Sequence, residues 1–335
     1  MKVALDIRAA GLISPASGVL HSAAPEILAG TAYLERHPSF VGHDGLPQTG
    51  GFVAGCLEER DPIARLGYLL AAAYAGAMAD LPEDMPRDER WHLFLALPAW
   101  LEHDAARLHQ FKTLMPTMGL SRIGGLTYIF GGAVAGVKAT DAAADALASG
   151  DVSVAMVAGV DSLVAPLVLD RRALAGLANV QTNPYGVVPG EAGALLVVQA
   201  ADPDDRPFMA RLHGTAIGTE QARLDDPERG IMGRAMTDCL TKASAGQATP
   251  GALLSDFNGE RHRGEETGVV LTHLANDALA DPICPATAIG DVGAATAPVY
   301  CALAPWAPTV GSLHLLAALG DRDGPRGALC IERRR

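Results

Sequence analysis

The densest group of proton-moving residues lies in the string DFNGERHRGEE, residues 256–266. Asn258, Glu260 and His262 alternate there, so an extended segment would place all three on one face. With Asp291 they could form a polar cluster. Glu260 or Asp291 would then act as a base and His262 as an acid, the equipment of a hydrolase or a lyase. The competing reading is structural: solvated loop residues, with Glu260 paired at the surface to Arg261 or Arg263. That plainer reading is preferred. A metal site from Glu260, His262 and Asp291 matches no recognised ligand spacing, and neither a metal nor a cofactor is expected.

The other chemically capable residues say less. His21, His37 and His43 fall in a polar N-terminal region, and His103 and His109 in the charged helical string EHDAARLHQF, so surface and capping roles are expected. The five cysteines, Cys56, Cys239, Cys284, Cys301 and Cys330, form no CxxC pair, as expected of free thiols in a reducing, cytoplasmic compartment. The pairs Gly124-Gly125 and Gly131-Gly132 suit strand-to-helix turns better than a phosphate cradle. A net charge of −12 argues against nucleic acid, because no basic excess exists to displace counterions. Arg333–Arg335 is read as a solvated tail. No apolar run has the length of a membrane span; the longest uncharged stretch, 292–320, is broken by Pro298, Pro305 and Pro308. MKVALDIRAAGLISP carries Asp6 and Arg8 inside its apolar part and reads as a first strand, not a signal peptide.

Positioning these residues requires alternating elements. Strands are expected at MKVALDI, 90–100, 152–160 and 193–200, with helices over 62–81 and from Asp141 to Ser149. The run VSVAMVAGV is almost wholly apolar, as in central strands covered on both faces. After the break ADPDDRP, the theme repeats: strands at MARLHGTAIG and LLSDF, helices at 233–245 and 265–279, and last strands at HLLAALG and GALCIERR. The halves, 1–200 and 201–335, read as two similar α/β units in one compact body. The hydrophobic fraction of 49% is mostly Ala, Val and Leu, with only 5% aromatics, so small side chains must build the core.

Four segments in this order resemble the thiolase superfamily, and within it the β-ketoacyl synthases. GLISPAS (11–17) resembles the loop after the first strand. ASGDVSVAMVAGVDS (148–162) resembles a Gly-Asp turn running into an apolar strand. YGVVPGEAGALLVV (185–198) resembles a hairpin carrying Gly186, Gly190, Glu191 and Gly193. GDVGAAT (290–296) resembles a late loop carrying Gly290 and Gly293. The resemblance implies an α/β, thiolase-like fold of two pseudo-repeated halves in five αβαβα layers. It also implies that Glu191 belongs to the scaffold rather than to the chemistry.

It further implies what the site lacks. The family's nucleophilic cysteine would sit at Ala133, where a helix N-terminus lowers a thiol's pKa and backbone N–H groups hold an oxyanion. Its histidine in a His-Gly-Thr string would be Asn258, which transfers no proton at neutral pH. The group before the late glycine-alanine loop would be Asp291, whose carboxylate would repel an oxyanion or a malonyl group. No catalytic residue is therefore expected, and condensation is not expected. Short connections after Ser162 and after Gly214 leave little material for a long acyl channel.

Members of this superfamily are commonly dimers, which implies pairing through GGLTYIFGG (124–132), either between identical subunits or with a synthase-like partner. The leading expectation is a degenerate synthase-like protein acting through protein contacts, an accessory or adaptor like the thiolase-like proteins of bacterial type VI secretion clusters. A chain-length-factor-like partner in fatty acid, polyene or polyketide assembly is the alternative. The hydrolase or lyase on Glu260, His262 and Asp291 comes third.

Overall fold

A computed structural model describes residues 1–334 except 42–44, 87–90, 175, 178–182, 203–206, 223, 225, 227 and 231, and it leaves side chains 37–40 and 172–174 undescribed. His43 and Arg335 thus lie outside the described residues, as does the His37 side chain. The strands are β1 (Leu5–Ile13), β2 (Glu35–Val41), β3 (Pro47–Gly50), β4 (Trp91–Pro98), β5 (Ile123–Gly131), β6 (Ala155–Ser162), β7 (Glu191–Ala200), β8 (Ala210–Thr219), β9 (Leu253–Ser255), β10 (His314–Gly320) and β11 (Pro325–Arg333). The helices are α1 (Leu20–Leu28), α2 (Pro62–Ala79), α3 (Ala99–Glu102), α4 (Ala105–Leu114), α5 (Ala133–Ser149), α6 (Pro166–Leu174), α7 (Arg234–Ala243), α8 (Arg261–Leu274), α9 (Ala286–Ile289) and α10 (Thr296–Leu303).

Nine strands hydrogen-bond in the order β5-β4-β6-β7-β1-β8-β11-β10-β9, and β2 and β3 form a separate ribbon. β4 runs parallel to β5 and β6, whereas β7 is antiparallel to both β6 and β1. β8, β11 and β10 continue antiparallel, and β9 closes the far edge parallel to β10.

Burial sorts the helices into layers. Helix α2 packs its Ile63, Leu66, Leu69, Leu70, Ala73 and Ala77 on one face of the first-half strands. Helices α5 and α10 share a core with the opposite face of those strands and with β8, β9, β10 and β11. Helices α7 and α8 cover the outer face of the second-half strands through Met236, Cys239, Leu240, Ala243 and Val270. The result is the five-layer αβαβα body of the thiolase-like fold. Small side chains make the middle layer thin enough: apart from Val, Thr and Leu, the buried residues of α5 are Ala and Gly.

Local chemistry explains the borders. Asp61 caps α2, its Oδ1 accepting from the Ile63 N–H at 3.0 Å, and Pro62 starts the helix where no N–H is needed. Helix α5 ends on Gly150 at φ 78°, a left-handed cap that glycine adopts without strain. That cap is the physical content of the Gly-Asp turn before β6, which is buried along all of its length.

Helix α5 runs from Ala133, where the resemblance put a helix start, through the Asp141–Ser149 stretch that reads as helical by itself. One expected element moves. The helix expected over 265–279 is α8, Arg261–Leu274, so His262 sits in its first turn and the alternation argument for residues 258–262 fails. Glu260 is the residue before the helix, and its extended φ and ψ (−68°, 131°) account for the ambiguity.

Candidate functional site

A cavity of about 380 Å³ opens where β5 ends and α5 begins. Its walls bring together Trp100 of α3, Gly131, Gly132 and Ala133, Asp161 of β6, Glu260 and Arg263 around the start of α8, Asp291, and Asp321 and Arg322 after β10. Among the described lining residues there is no Cys, Ser, Thr, His or Lys. Ala133 is the first residue of α5, lies almost wholly buried at 7% exposure and lines this cavity.

The N-terminus of α5 is already occupied. Asp321 Oδ1 accepts from the Val134 N–H at 3.2 Å. Gly132 offers no side-chain cap of its own, so the cap comes from the turn after β10, 187 residues away in sequence. Burial raises the Asp321 carboxyl above its usual range, against the pull of the Val134 amide and Arg263. This amide belongs to the helix start that an oxyanion would meet, and a carboxylate already holds it.

Asn258, Glu260 and Asp291 do come together. Asn258 Nδ2 donates to Asp291 Oδ2 at 2.7 Å and to Glu260 Oε2 at 3.3 Å, while its Oδ1 accepts from the Glu260 N–H at 3.1 Å. Asp291 Oδ1 accepts from the Gly293 N–H at 2.8 Å. Gly293 cannot be replaced here: at φ 49°, a Cβ would lie 2.1 Å from Asp161 Oδ2. Asp161 in turn accepts from the Ser162 and Ala294 N–H groups at 2.8 and 3.0 Å.

Glu260 is not paired at the surface. It is buried, with Arg322 Nη1 at 2.5 Å from Oε1 and Arg263 Nε at 3.2 Å from Oε2, whereas Arg261 pairs with Glu265. Burial works to raise its pKa, but Arg263, His262 and Arg322 together outweigh burial and hold it below the usual range. Arg263 also meets Asp256, whose Oδ2 accepts from the Gly320 N–H at 2.5 Å. A carboxylate with both oxygens engaged by cations is a weak base. His262 Nε2 lies 3.8 Å from Glu260 Oε2, and burial pushes the imidazole down to about 4, with Glu260 pulling the other way. At neutral pH it is an uncharged imidazole with no proton poised for an acid's role.

The depressed His262 makes a prediction. Its folded pKa lies below its unfolded 6.5, so the unfolded chain takes up the proton first as pH falls. The stability that His262 contributes is full above 6.5 and is lost as pH falls toward 4. Lowering the pH from 7 to 5 should cost wild type on the order of 1–2 kcal/mol more than His262→Gln, measured by urea unfolding. Comparing the two chains isolates His262, because Asp256, Asp321 and Glu266, all raised mainly by burial, titrate the opposite way in both. Parallel pH curves for the two chains would refute it.

The glycine-rich segments brace this floor. The Gly190 N–H donates to the Asp291 carbonyl and the Asp291 N–H to the Val188 carbonyl, both at 2.8 Å, binding one loop to the other. The Gly186 N–H donates to the Asn183 carbonyl at 3.1 Å, and the Gly290 N–H to the Ala286 carbonyl at 2.9 Å. Gly193 pairs with Ile13 and Val160 inside the sheet. Glu191 is completely buried, its Oε1 2.6 Å from Arg65 Nη2 and its Oε2 accepting from Ser162 Oγ at 2.7 Å, behind the cavity rather than in it.

No described cysteine lines the cavity. Burial raises all five thiols, Cys56, Cys301 and Cys330 to about 12 and Cys284 to about 11, which leaves them protonated and inert. Asp321 and Arg322 are the site residues that sequence reading passed over, whereas Arg263 does pair with Glu260 as expected, though in a buried position and not at the surface. A charged DRDG turn directly after the apolar strand HLLAALG was the available signal for the two that were missed.

No protein-family model and no curated protein matches the chain. Solved structures do. The chain superposes on "AntDE:AntF", a type II PKS acyl-carrier protein in complex with its ketosynthase bound to the hexaketide, with a TM-score of 0.76 at 13% identity, covering 99% of this chain and 100% of that one. It superposes on the ishigamide ketosynthase/chain length factor with a TM-score of 0.74 at 20% identity, covering 99% of each chain. A ketosynthase from module 6 of the bacillaene synthase of Bacillus subtilis 168 gives 0.71 at 15% identity, with 99% of this chain and 72% of that one covered. The chain has the thiolase-like fold of ketosynthases. No helix of the described residues is long and apolar enough to cross a membrane.

Proposed function

We propose that the chain is a non-condensing, ketosynthase-like subunit that works through protein contacts, as an adaptor beside a second copy or a synthase-like partner. One observation carries the reading. Alanine begins α5, and the Val134 N–H beside it is held by Asp321, which supports a helix start without a nucleophile and with an oxyanion-binding amide already engaged. Asp161, Glu260, Asp291, Asp321 and Asp323 outnumber Arg171, Arg263 and Arg322 around the same cavity, an acidic balance that disfavours a malonyl carboxylate.

Strand β5 supports the contact. It is an edge strand, paired among the described strands with β4 alone, nine residues long, and carries Leu126, Tyr128, Ile129 and Phe130. A long apolar edge is a liability unless another strand covers it. The ketosynthase/chain length factor and carrier-protein complexes among the neighbours favour a place beside a condensing enzyme over one in a secretion assembly.

Two readouts test the proposal together. Purified protein incubated with acyl-CoA and acyl-carrier thioesters should keep its intact mass, and light scattering should show a dimer that Tyr128→Glu dissociates. An acyl adduct on any residue, or a wild-type monomer that binds no synthase, would overturn it.

A further inference from the structure

We propose that His213, Glu332 and His314 form a binding site for a divalent transition metal ion of the Zn²⁺ type, on three adjacent strands of the second half. Among the described residues, this is the one group of three metal-capable side chains whose ligand atoms all lie within 4.8 Å of one another. His213 Nε2 is 2.7 Å from Glu332 Oε2, and the two imidazole rings are 5.2 Å apart between centroids.

The backbone explains why they meet. His314 begins β10 directly opposite Glu332 of β11. Leu315 and Ile331 face the inner core, so their neighbours His314 and Glu332 project to the other face of the sheet. The third residue comes from a register shift. Cys330 pairs with Gly214 and Ile331 with Leu212, so His213 is the extra residue of a β-bulge in β8. A bulge re-aims one side chain out of the strand's alternation, and here it delivers the imidazole to the carboxylate. The site is half-sheltered, with 16% of the His213 side chain and 29% of Glu332 exposed, so an ion can enter and a water can complete its shell.

Two imidazoles and one carboxylate suit zinc and its neighbours rather than calcium or magnesium. Ligand bonds of about 2.1 Å require the His314 ring to close on the other two. His314 Nδ1 lies 3.5 Å from Ser312 Oγ, an outer partner that orients the ring. The ion would replace the contact between His213 and Glu332 and would staple β10, β11 and β8. The cavity starts at the other end of β10, about 20 Å away at roughly 3.3 Å per residue. The metal site therefore stands or falls independently of the cavity's function.

The test uses the whole purified chain, stripped with chelator and then titrated with Zn²⁺ against a chromophoric chelator, with Co²⁺ as a spectroscopic probe. One equivalent of Zn²⁺ should bind, and Co²⁺ should give the intense visible band of a low-coordinate site. His213→Ala and His314→Ala should each weaken binding by about 100-fold or more. Circular dichroism should show both variants folded, since neither side chain belongs to the buried core. Zn²⁺ should raise the melting temperature of wild type but of neither variant. Failure of wild type to compete with the indicator, or unchanged affinity in both variants, would overturn the site.

Discussion

Arg65→Ala should destabilise the protein by about 3–5 kcal/mol, the largest effect expected of any single substitution away from the cavity. Arg65 and Glu191 are both fully buried. Arg65 Nε and Nη2 grip the two carboxylate oxygens at 3.0 and 2.6 Å, and Nη1 donates to the Cys56 and Glu59 carbonyls at 2.6 and 2.5 Å. Glu191 also accepts from the Val53 N–H at 2.8 Å. Removing the cation strands a charge that water cannot reach, together with two carbonyl acceptors. The pair joins α2 to the start of β7 and to the loop before α2, so the loss spreads to the wall behind Asp161 and Ser162. A double variant, Arg65→Met with Glu191→Met, should recover a large part of the loss, because an apolar pair leaves no buried charge. Urea unfolding of the four chains measures the coupling. A loss below about 1 kcal/mol for Arg65→Ala would mean that water reaches the pair and that Glu191 is not part of a sealed scaffold.

The elements that a sequence reader finds and those that escape differ in physical range. The apolar run of β6, the capped helix α2 and the glycine turn after α5 are local statements, written in neighbouring residues. The meeting of Asn258, Glu260 and Asp291 was foreseeable only from the order of motifs, because 33 residues separate Asn258 from Asp291. The extended reading of residues 258–262 failed because Glu260 has strand-like dihedrals while Arg261 already begins a helix, and alternation over three residues cannot tell these apart. Arg322 and Asp321 escaped for a different reason. An ion pair at a separation of 62 residues and a helix cap at 187 leave no trace in local spacing, and charged turns are ordinarily solvated. The same holds for His213: a bulge is a fact of register between two strands, invisible in either strand alone.

The nucleophile position offers the sharpest test of what Asp321 does. Ala133→Cys places a thiol at the first turn of a 17-residue helix, on the wall of a cavity with room for it. The helix terminus favours a thiolate, but the Asp321 carboxylate on the adjacent Val134 amide opposes it. A like charge in contact shifts a pKa by about 1–3 units, and thiolate content falls tenfold per unit. Intrinsic nucleophilicity recovers about half of that on a logarithmic scale. Ala133→Cys combined with Asp321→Asn should therefore be alkylated by iodoacetamide about 3- to 30-fold faster than Ala133→Cys alone. Asparagine keeps an oxygen for the Val134 N–H, so the helix cap survives and the comparison reports charge. Intact mass after acyl-thioester incubation should show no adduct on wild type, slow acylation of Ala133→Cys, and faster acylation of the double variant. Neither variant should extend a chain, because Asn258 and Asp291 supply no group that activates an extender. Equal reactivity of the two thiols would show that Asp321 merely caps the helix. Condensation by Ala133→Cys alone would show that the cavity has lost one atom of chemistry and nothing else.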